Sequence, residues 1–177
     1  MSTLKELTAE KHREAETQPF IKSIFMGEVD VKKYTSYLFQ LRLLYLTLEV
    51  YGDALKIFSD MEDLKRTKYI EMDMAVLASN LDTYPLINDS TWKYIDYLKT
   101  IKYDKEKLMA HIYVRHMGDL FGGQQLAKLL PGPNNMYKFD NISELVTKIR
   151  SKIDVSMAEE ANLAFQYNID MIKDYNE

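Results

Sequence analysis

The sequence of 177 residues contains no cysteine, only four prolines and six glycines, and no long uncharged apolar run. The lack of cysteine excludes disulfides, thiolate nucleophiles, iron–sulfur clusters and cysteine–zinc sites, and it fits a reducing compartment. No segment reaches the roughly 18 apolar residues that a membrane span requires, and the charged N-terminus does not resemble a signal peptide. The net charge of −4 argues against bulk nucleic-acid binding. We therefore expect a soluble cytoplasmic protein that binds neither membranes nor nucleic acid.

Hydrophobic periodicity predicts an all-α protein, because nearly every segment repeats its apolar residues at helical spacing and none alternates as a strand does. The length fits one domain, residues 1–177, built from about seven to nine helices. Capping residues, prolines and glycines set the expected helix limits. A short apolar turn is expected over Phe20–Met26, stopped by Gly27, and one or two helices are expected within 62–82. The other expected helices run from Thr3 to before Pro19, from Asp30 to Leu55, from Ser90 to Ile101, from Asp104 to Pro131, from Asp140 or Ser143 to Val155, and onward from a second capping box at Ser156-x-x-Glu159.

Apolar spacing also predicts which helix faces are buried. The long helix carries one continuous stripe over about seven turns, and Met72, Val76 and Leu77 are expected to point inward from the segment 62–82. The members of the stripe are Val31, Tyr34, Leu38, Leu41, Tyr45, Leu48, Gly52 and Leu55.

Three glycines interrupt one of these helices within six residues, at positions 118, 122 and 123. Each glycine in a helix interior costs roughly 0.5–1 kcal/mol relative to alanine. Gly118 and Gly122 share a face, so the helix presents bare backbone there, against which a flat or bulky group can lie. Close helix–helix packing or a kink explains the spacing equally well.

Among the three histidines, His12 has the most suggestive context. Glu16 follows one turn later, within reach of an imidazole nitrogen, and such a carboxylate would orient a histidine that binds metal through its other nitrogen. An ordinary surface pair has the same spacing. His111 and His116 point about 140° apart and form no metal pair, and a di-iron carboxylate site would need Glu-x-x-His, which this chain lacks.

Asp119 lies inside the glycine run, where an acid is expected to pair with Arg115 one turn earlier or to hold ordered water in the space that the glycines leave. No phosphate-binding loop or nucleophile elbow is present.

Four blocks of this sequence together resemble the heme oxygenase family, particularly its short cyanobacterial and cyanophage type. The block Tyr113-x-Arg115-x-x-Gly118-Asp119-Leu120-x-Gly122-Gly123-Gln124 resembles the distal-helix signature, which is highly specific. The other three blocks resemble the proximal helix, the segment that meets the heme propionates, and the terminal helix. They are Leu4-Lys5-Glu6-x-Thr8 with His12-x-x-Ala15-Glu16, Arg150-Ser151-x-Ile153-Asp154, and Glu160-Ala161-x-x-Ala164-Phe165-x-x-Asn168.

The resemblance implies a helical bundle with heme held between a proximal and a kinked distal helix. His12 would be the iron ligand, oriented by Glu16, and Asp119 would anchor ordered water that supplies a proton, next to Gly118 and Arg115. Lys5 and Arg150 would pair with the propionates. The remaining residues implied to contact heme are Tyr113, Gly122, Gly123 and Phe165.

The implied reaction converts heme b, dioxygen and electrons to biliverdin, carbon monoxide and ferrous iron. A reduced ferredoxin is the implied electron donor, which could dock on a basic proximal face, and a bilin reductase is the implied consumer of the product. That face would comprise Lys5, Lys11, Arg13 and Lys22.

Two positions depart from the family pattern. Many members carry a lysine one turn before Arg150, where this chain has Val146, and Lys148 or Lys152 are the candidate substitutes. His116 stands where relatives often carry tyrosine or phenylalanine, and we expect a structural role for it.

Three other functions remain to be weighed. A non-catalytic heme carrier would need His12 but not Asp119. A thiaminase-like hydrolase of the same helical superfamily would need a cysteine nucleophile, which is missing. A pure interaction bundle would bind no heme.

Overall fold

The computed structural model describes all 177 residues and is helical throughout, which confirms the all-α prediction. Four short 3-10 turns accompany ten α-helices. The helices are α1 (Leu4–Leu7), α2 (Ala9–Glu16), α3 (Pro19–Phe25), α4 (Val31–Ala54), α5 (Thr67–Leu77), α6 (Asp89–Thr100), α7 (Lys105–Leu120), α8 (Gly122–Leu126), α9 (Ile142–Arg150) and α10 (Ala158–Lys173). The count exceeds the predicted range because two helices expected to be continuous are interrupted, at Thr8 and at Phe121.

Side-chain caps fix several helix starts as predicted. Thr3 and Glu6 form a reciprocal capping box on α1, at 2.9 and 3.2 Å. Asp30 accepts from the backbone of Lys33 at the start of α4, and Asp104 accepts from Lys107 at the start of α7. These bonds satisfy backbone N–H groups that have no partner within the helix.

Three predicted caps are wrong. At α9 the N-cap position is held by Asn141, whose side chain makes no cap hydrogen bond, and not by Asp140 or Ser143. Helix α6 begins at Asp89, and the hydroxyl of Ser90 donates instead to the carboxylate of Asp174. Helix α10 begins at Ala158, because Asp154 caps the preceding 3-10 turn by accepting from the backbone of Ser156 at 2.9 Å. At α6 and α10 the serine that the local pattern assigns to the helix start donates instead to another carboxylate, Asp174 for Ser90 and Asp154 for Ser156.

Three long helices form the centre of the bundle. Helix α4 packs against α5, α6 and α7, while α10 packs against α2, α6 and α7. The predicted stripe on α4 is confirmed, because Tyr34, Leu38, Leu41, Tyr45, Leu48 and Gly52 are buried. None of the helices combines the length and the apolar character that crossing a bilayer requires.

The inward face of α5 differs from the prediction. Met72 and Val76 are 45% and 58% exposed, whereas Ile70, Asp73 and Leu77 are buried. The face is rotated because the carboxylate of Asp73 has buried backbone partners on a distant turn, described below. Only Leu77 of the three expected residues points inward.

Candidate active site

Helix α2 presents His12 and Glu16 on one exposed face. The two side chains are 54% and 53% exposed, and Nε2 of His12 lies 3.5 Å from Oε1 of Glu16. That distance is longer than a normal hydrogen bond, and Nδ1 is the nitrogen left without a neighbouring carboxylate. The imidazole therefore has one nitrogen near an acid and one available to a ligand, as a metal-binding histidine requires.

Phe165 of α10 lies beside this imidazole. The ring centroids are 5.8 Å apart and the planes are nearly perpendicular, at 83°. Next to it, the Lys11 ammonium donates to Glu14 at 3.0 Å and to Gln166 at 2.5 Å. Lys11 is thus engaged with its neighbours, whereas Lys5, Arg13 and Lys22 are exposed.

The glycine run divides into open and packed positions. A Cβ added to Gly118 or Gly122 would have no neighbouring atom within 4 Å, so this face of the helix borders open space. A Cβ on Gly123 would lie 2.5 Å from the ring of Tyr137. Gly118 and Gly122 therefore form a bare face that another molecule can approach, while Gly123 is required by packing inside the protein.

The helix breaks at Phe121, between α7 and α8. Its backbone angles, φ −110° and ψ −78°, depart from the helical values, and its ring is 52% exposed. The expected kink in this helix is present. It ends α7 at Leu120, well before Pro131, where the sequence predicts the helix to end. Phe121 was not identified as a site residue, yet it is the large apolar side chain next to the bare face.

Asp119 is buried beside the bare face and accepts a hydrogen bond from the Tyr45 hydroxyl of α4. The Arg115 guanidinium donates to that same hydroxyl at 3.3 Å and to the side-chain oxygen of Asn168 at 2.9 Å. The predicted direct pairing of Arg115 with Asp119 is thus replaced by a link through Tyr45. These groups come from three helices and form one hydrogen-bonded cluster. Its members are the Asp119 carboxylate, the Tyr45 hydroxyl, the Arg115 guanidinium and the Asn168 amide.

Burial is the main influence on the Asp119 carboxyl, and it raises the pKa of Asp119 to about 6. The charges of Arg115 and Arg66 and the hydrogen bond from Tyr45 act in the opposite direction, because they stabilise the ionised form. A carboxyl with a pKa close to neutrality can hold or release a proton under physiological conditions.

Tyr45 and Asn168 are members of this cluster that were not assigned as functional residues from the sequence. Tyr45 lies in the apolar stripe of α4, where its ring is a normal core residue. The available signal was its hydroxyl, which needs a buried partner when the ring is in the core. Nothing in the local sequence indicates that the partner is Asp119.

The other two histidines are buried. His111 hydrogen-bonds Tyr94 at 2.7 Å and Glu160 at 2.8 Å, so both of its nitrogens are satisfied inside the bundle. His116 donates from Nδ1 to the carbonyl of Ile112 at 2.9 Å and packs edge-on against Tyr45. Burial lowers the pKa of His116 to about 3, which keeps it neutral. The structural role expected for His116 agrees with this environment.

The residues predicted to bind anionic groups lie on α1, which carries Lys5, and at the end of α9, which carries Arg150. Burial raises the pKa of Tyr113, while Thr8 and the charge of Arg150 lower it, so the Tyr113 side chain lies near both. Lys5 and Arg150 are exposed. Val146 is buried, 6% exposed, on the inward face of α9.

Both lysines near Val146, the candidate substitutes for the family's lysine, form surface ion pairs. Lys148 pairs with Glu144 at 2.5 Å, and Lys152 pairs with Asp60 at 3.0 Å. Arg150 is therefore the cation of α9 that remains available to an anionic ligand.

Comparison with known proteins identifies the relatives of this chain. A sequence model described as Heme oxygenase matches residues 1–174. The heme oxygenase of Pyropia yezoensis is 30% identical over 98% of this chain and 84% of its own length, and that of Guillardia theta is 28% identical over 97% and 84%.

Solved structures agree in fold. Heme oxygenase-1 of the cyanobacterium Synechocystis, in complex with heme, matches with a TM-score of 0.83 and 27% identity over 97% of this chain and 89% of its own. Heme oxygenase-2 of Synechocystis, in complex with heme and NO, matches with a TM-score of 0.86 and 27% identity over 97% and 83%. The protein from Leptospira interrogans, at 24% identity and a TM-score of 0.84, supports the fold alone.

Proposed function

Because the chain belongs to the heme oxygenase family, we propose that it cleaves heme b to biliverdin, carbon monoxide and ferrous iron with dioxygen and electrons from a ferredoxin-type donor. The observation that carries the proposal is the buried Asp119 carboxyl, with a pKa of about 6, beside the bare face of Gly118 and Gly122. A bare helix face suits a flat substrate, and an adjacent acid near neutrality suits proton transfer during ring opening.

The positions of α2 and α7 support a single heme cleft. Tyr113 of α7 lies near Thr8, at the start of α2. His12 follows Thr8 by one turn, and Gly118 follows Tyr113 by about one and a half turns, which correspond to roughly 6 and 8 Å along the helix axes. Both helices pack on α10, which carries Phe165. An imidazole and a bare backbone face on two neighbouring helices fit an iron porphyrin.

Each site residue has a distinct task in this proposal. His12 would hold the iron, and Glu16 would orient its imidazole. Gly118 and Gly122 would let the porphyrin approach the backbone, and Phe165 would pack beside the proximal imidazole. Lys5 and Arg150 would bind the propionates. When bound, heme supplies the iron at which dioxygen is activated.

The distal cluster would control the proton. Asp119 would order water next to the bound substrate and exchange a proton with it, because its carboxyl changes protonation near neutral pH. Asn168 accepts from Arg115, Arg115 donates to the Tyr45 hydroxyl, and that hydroxyl donates to the carboxylate of Asp119. Fixed donors in a site that excludes bulk water are worth more than the same groups in solution.

Hemin addition followed by reduction in air tests the proposal. We expect a Soret band that disappears as a bilin spectrum grows when ascorbate or reduced ferredoxin is supplied. A Soret band that persists after reduction would identify a heme carrier, and the absence of any band would exclude both heme functions. His12→Ala should weaken heme ligation and stop turnover.

Asp119→Ala should retain heme binding and lose ring opening, since the proton source is removed. Asp82→Ala is the matched control, because its side chain is 90% exposed and pairs only with Lys32 at the surface. Normal bilin formation by Asp119→Ala would show that the assignment of the proton source is wrong.

The ferredoxin donor rests on the exposed cations Lys5, Arg13 and Lys22 on a protein of net charge −4. Arg13→Glu should slow turnover with reduced ferredoxin and leave turnover with ascorbate unchanged, because only the protein donor docks by charge. Equal rates with both donors would argue against this docking face. The product would then pass to a bilin reductase, a partner that the family alone suggests.

A further inference from the structure

The segment 134–139 lies behind the break between α7 and α8 and is anchored to α5. The Asp73 carboxylate accepts from the Asn135 backbone at 2.7 Å, from the Asn135 amide at 2.9 Å and from the Met136 backbone at 3.0 Å. Asp73 is only 1% exposed. A buried carboxylate with three N–H donors fixes this turn firmly, since charge-assisted hydrogen bonds are the stronger kind.

Arg66 anchors the same segment from another direction. Its guanidinium donates to the carbonyl of Lys138 at 2.9 Å and to that of Met136 at 3.4 Å. It lies between the rings of Phe139 and Tyr69, at 3.9 and 4.2 Å from the ring centroids. The turn is therefore held on both flanks of Tyr137.

Tyr137 carries this rigidity to the distal helix. Its ring occupies the space that a Cβ of Gly123 would need, with the nearest atom at 2.5 Å. Its carbonyl accepts from the side-chain amide of Gln124 at 2.8 Å, and the same amide donates to the carbonyl of Asp119 at 3.2 Å. Tyr137 thus contacts the first turn of α8 and is joined through Gln124 to the backbone of Asp119.

We propose that Tyr137 is a positioning residue whose ring, fixed by Asp73 and Arg66, sets the break in the distal helix and so the place of Asp119 beside the substrate. The inference rests on the proposed function for its catalytic consequence. Its structural content is separate, because the contacts of Tyr137 lie within the protein.

Loss of the ring should let α8 relax toward the vacated space and admit water to Asp119. Because burial is what raises the pKa of Asp119, its protonation midpoint should move down toward the ordinary value. The groups that act on this carboxyl come from every side of the cluster. Arg115 of α7, Arg66 and the Tyr45 hydroxyl of α4 lower the pKa of Asp119. The charge of Asp119 in turn raises the pKa of the neighbouring tyrosines, which are Tyr34, Tyr37 and Tyr45 of α4 and Tyr137.

The experiment compares Tyr137→Ala with Tyr137→Phe in the heme-free protein. The Asp119 carboxyl is titrated by carbon-13 NMR, and the affinity for zinc protoporphyrin, which cannot be turned over, is measured alongside. We expect Tyr137→Ala to lower the midpoint and weaken porphyrin binding severalfold. Tyr137→Phe should keep the Asp119 midpoint and the porphyrin affinity of the wild type, because the ring and not the hydroxyl contacts Gly123. With hemin and a reductant, Tyr137→Ala should turn over about tenfold to a hundredfold more slowly, as for a small misplacement of a catalytic group.

Gly123→Ala provides a second variant, and its effect in the wild-type background can be measured even if Tyr137→Ala does not fold. The new methyl group collides with the ring in the wild-type background and has room in the Tyr137→Ala background. Gly123→Ala should therefore shift the Asp119 midpoint strongly in the first and little in the second.

An unchanged Asp119 midpoint in Tyr137→Ala, or equal effects of Tyr137→Ala and Tyr137→Phe, would overturn the inference. A wild-type protein that binds porphyrin but opens no ring would instead overturn the proposed function. The NMR titration stays informative in that case, so the two failures are distinguishable.

Discussion

The Tyr45 hydroxyl donates a hydrogen bond to the carboxylate of Asp119, which lies 74 residues further along the chain. The bond joins the longest helix, α4, to the end of α7. It stabilises the ionised form of the carboxyl, against the stronger effect of burial. Asp119 consequently changes protonation at a pH that neither influence alone would give.

Tyr45→Phe tests this balance. The variant keeps the ring in the core and removes a donor to the ionised carboxylate, so the pKa of Asp119 should rise further above 6. A hydrogen bond to a charged group contributes about 1.5–3 kcal/mol, which corresponds to a rise of about one pH unit or more. The pH dependence of bilin formation and a carboxyl NMR titration measure it, and an unmoved midpoint would contradict the assignment.

Asp119→Asn should become more stable relative to the wild type as the pH rises. The native pKa of about 6 lies above the ordinary 3.8, so the folded wild type binds more protons in this window and loses stability as the pH rises through it. Once the pH is above 6, the wild type should have lost about 3 kcal/mol of unfolding free energy relative to Asp119→Asn. Urea unfolding of both proteins between pH 3.5 and 7.5 measures it, and a constant difference across that range would argue against the raised pKa.

Gly118→Ala and Gly123→Ala should change stability in opposite directions. At Gly118 the new methyl group enters open space, so the heme-free protein should gain up to about 1 kcal/mol from the better helix former. The same methyl group should weaken porphyrin binding, because it occupies the face that the substrate covers. Gly123→Ala should lose stability through its collision with Tyr137. Thermal unfolding and porphyrin titration separate the two effects, and unchanged porphyrin affinity in Gly118→Ala would count against a distal heme face.

Arg150→Ala should weaken heme binding and alter the mixture of biliverdin isomers, because α9 offers no other free cation near Tyr113. Lys148→Ala is the matched control, since Lys148 is paired with Glu144. Chromatography of the products reports the isomers. An identical isomer pattern in Arg150→Ala would show that the propionates are held elsewhere.

The sequence predicts those parts of the fold that depend on residues close together along the chain. The capping box of Thr3 and Glu6 and the caps Asp30 and Asp104 join groups three residues apart, so the sequence alone predicts them. The inward face of α5 could not be predicted this way. Asp73 can be buried because the backbones of Asn135 and Met136 donate to its carboxylate. These partners lie more than 60 residues further along the chain, so no local pattern includes them.

The site divides in the same manner. The spacing of Gly118 and Gly122 places them on one face of the helix, but only the structure shows that this face borders open space. The separate role of Gly123 depends on Tyr137, which only the fold brings to it. The link from Arg115 to Asp119 likewise needs Tyr45, a residue that helical periodicity assigns to the core.

The guanidinium of Arg66 has a consequence for hydrogen exchange. Besides the two carbonyls on either side of Tyr137, it donates to those of Asp63 and Lys65, at 2.5 and 2.8 Å. Neither loop can detach without removing some of the carbonyl acceptors of a buried guanidinium, which is costly. The amides of residues 61–67 and 134–139 should therefore exchange as one cooperative unit. The rate at which these two loops open together would then limit how long the α7–α8 side of the site stays closed.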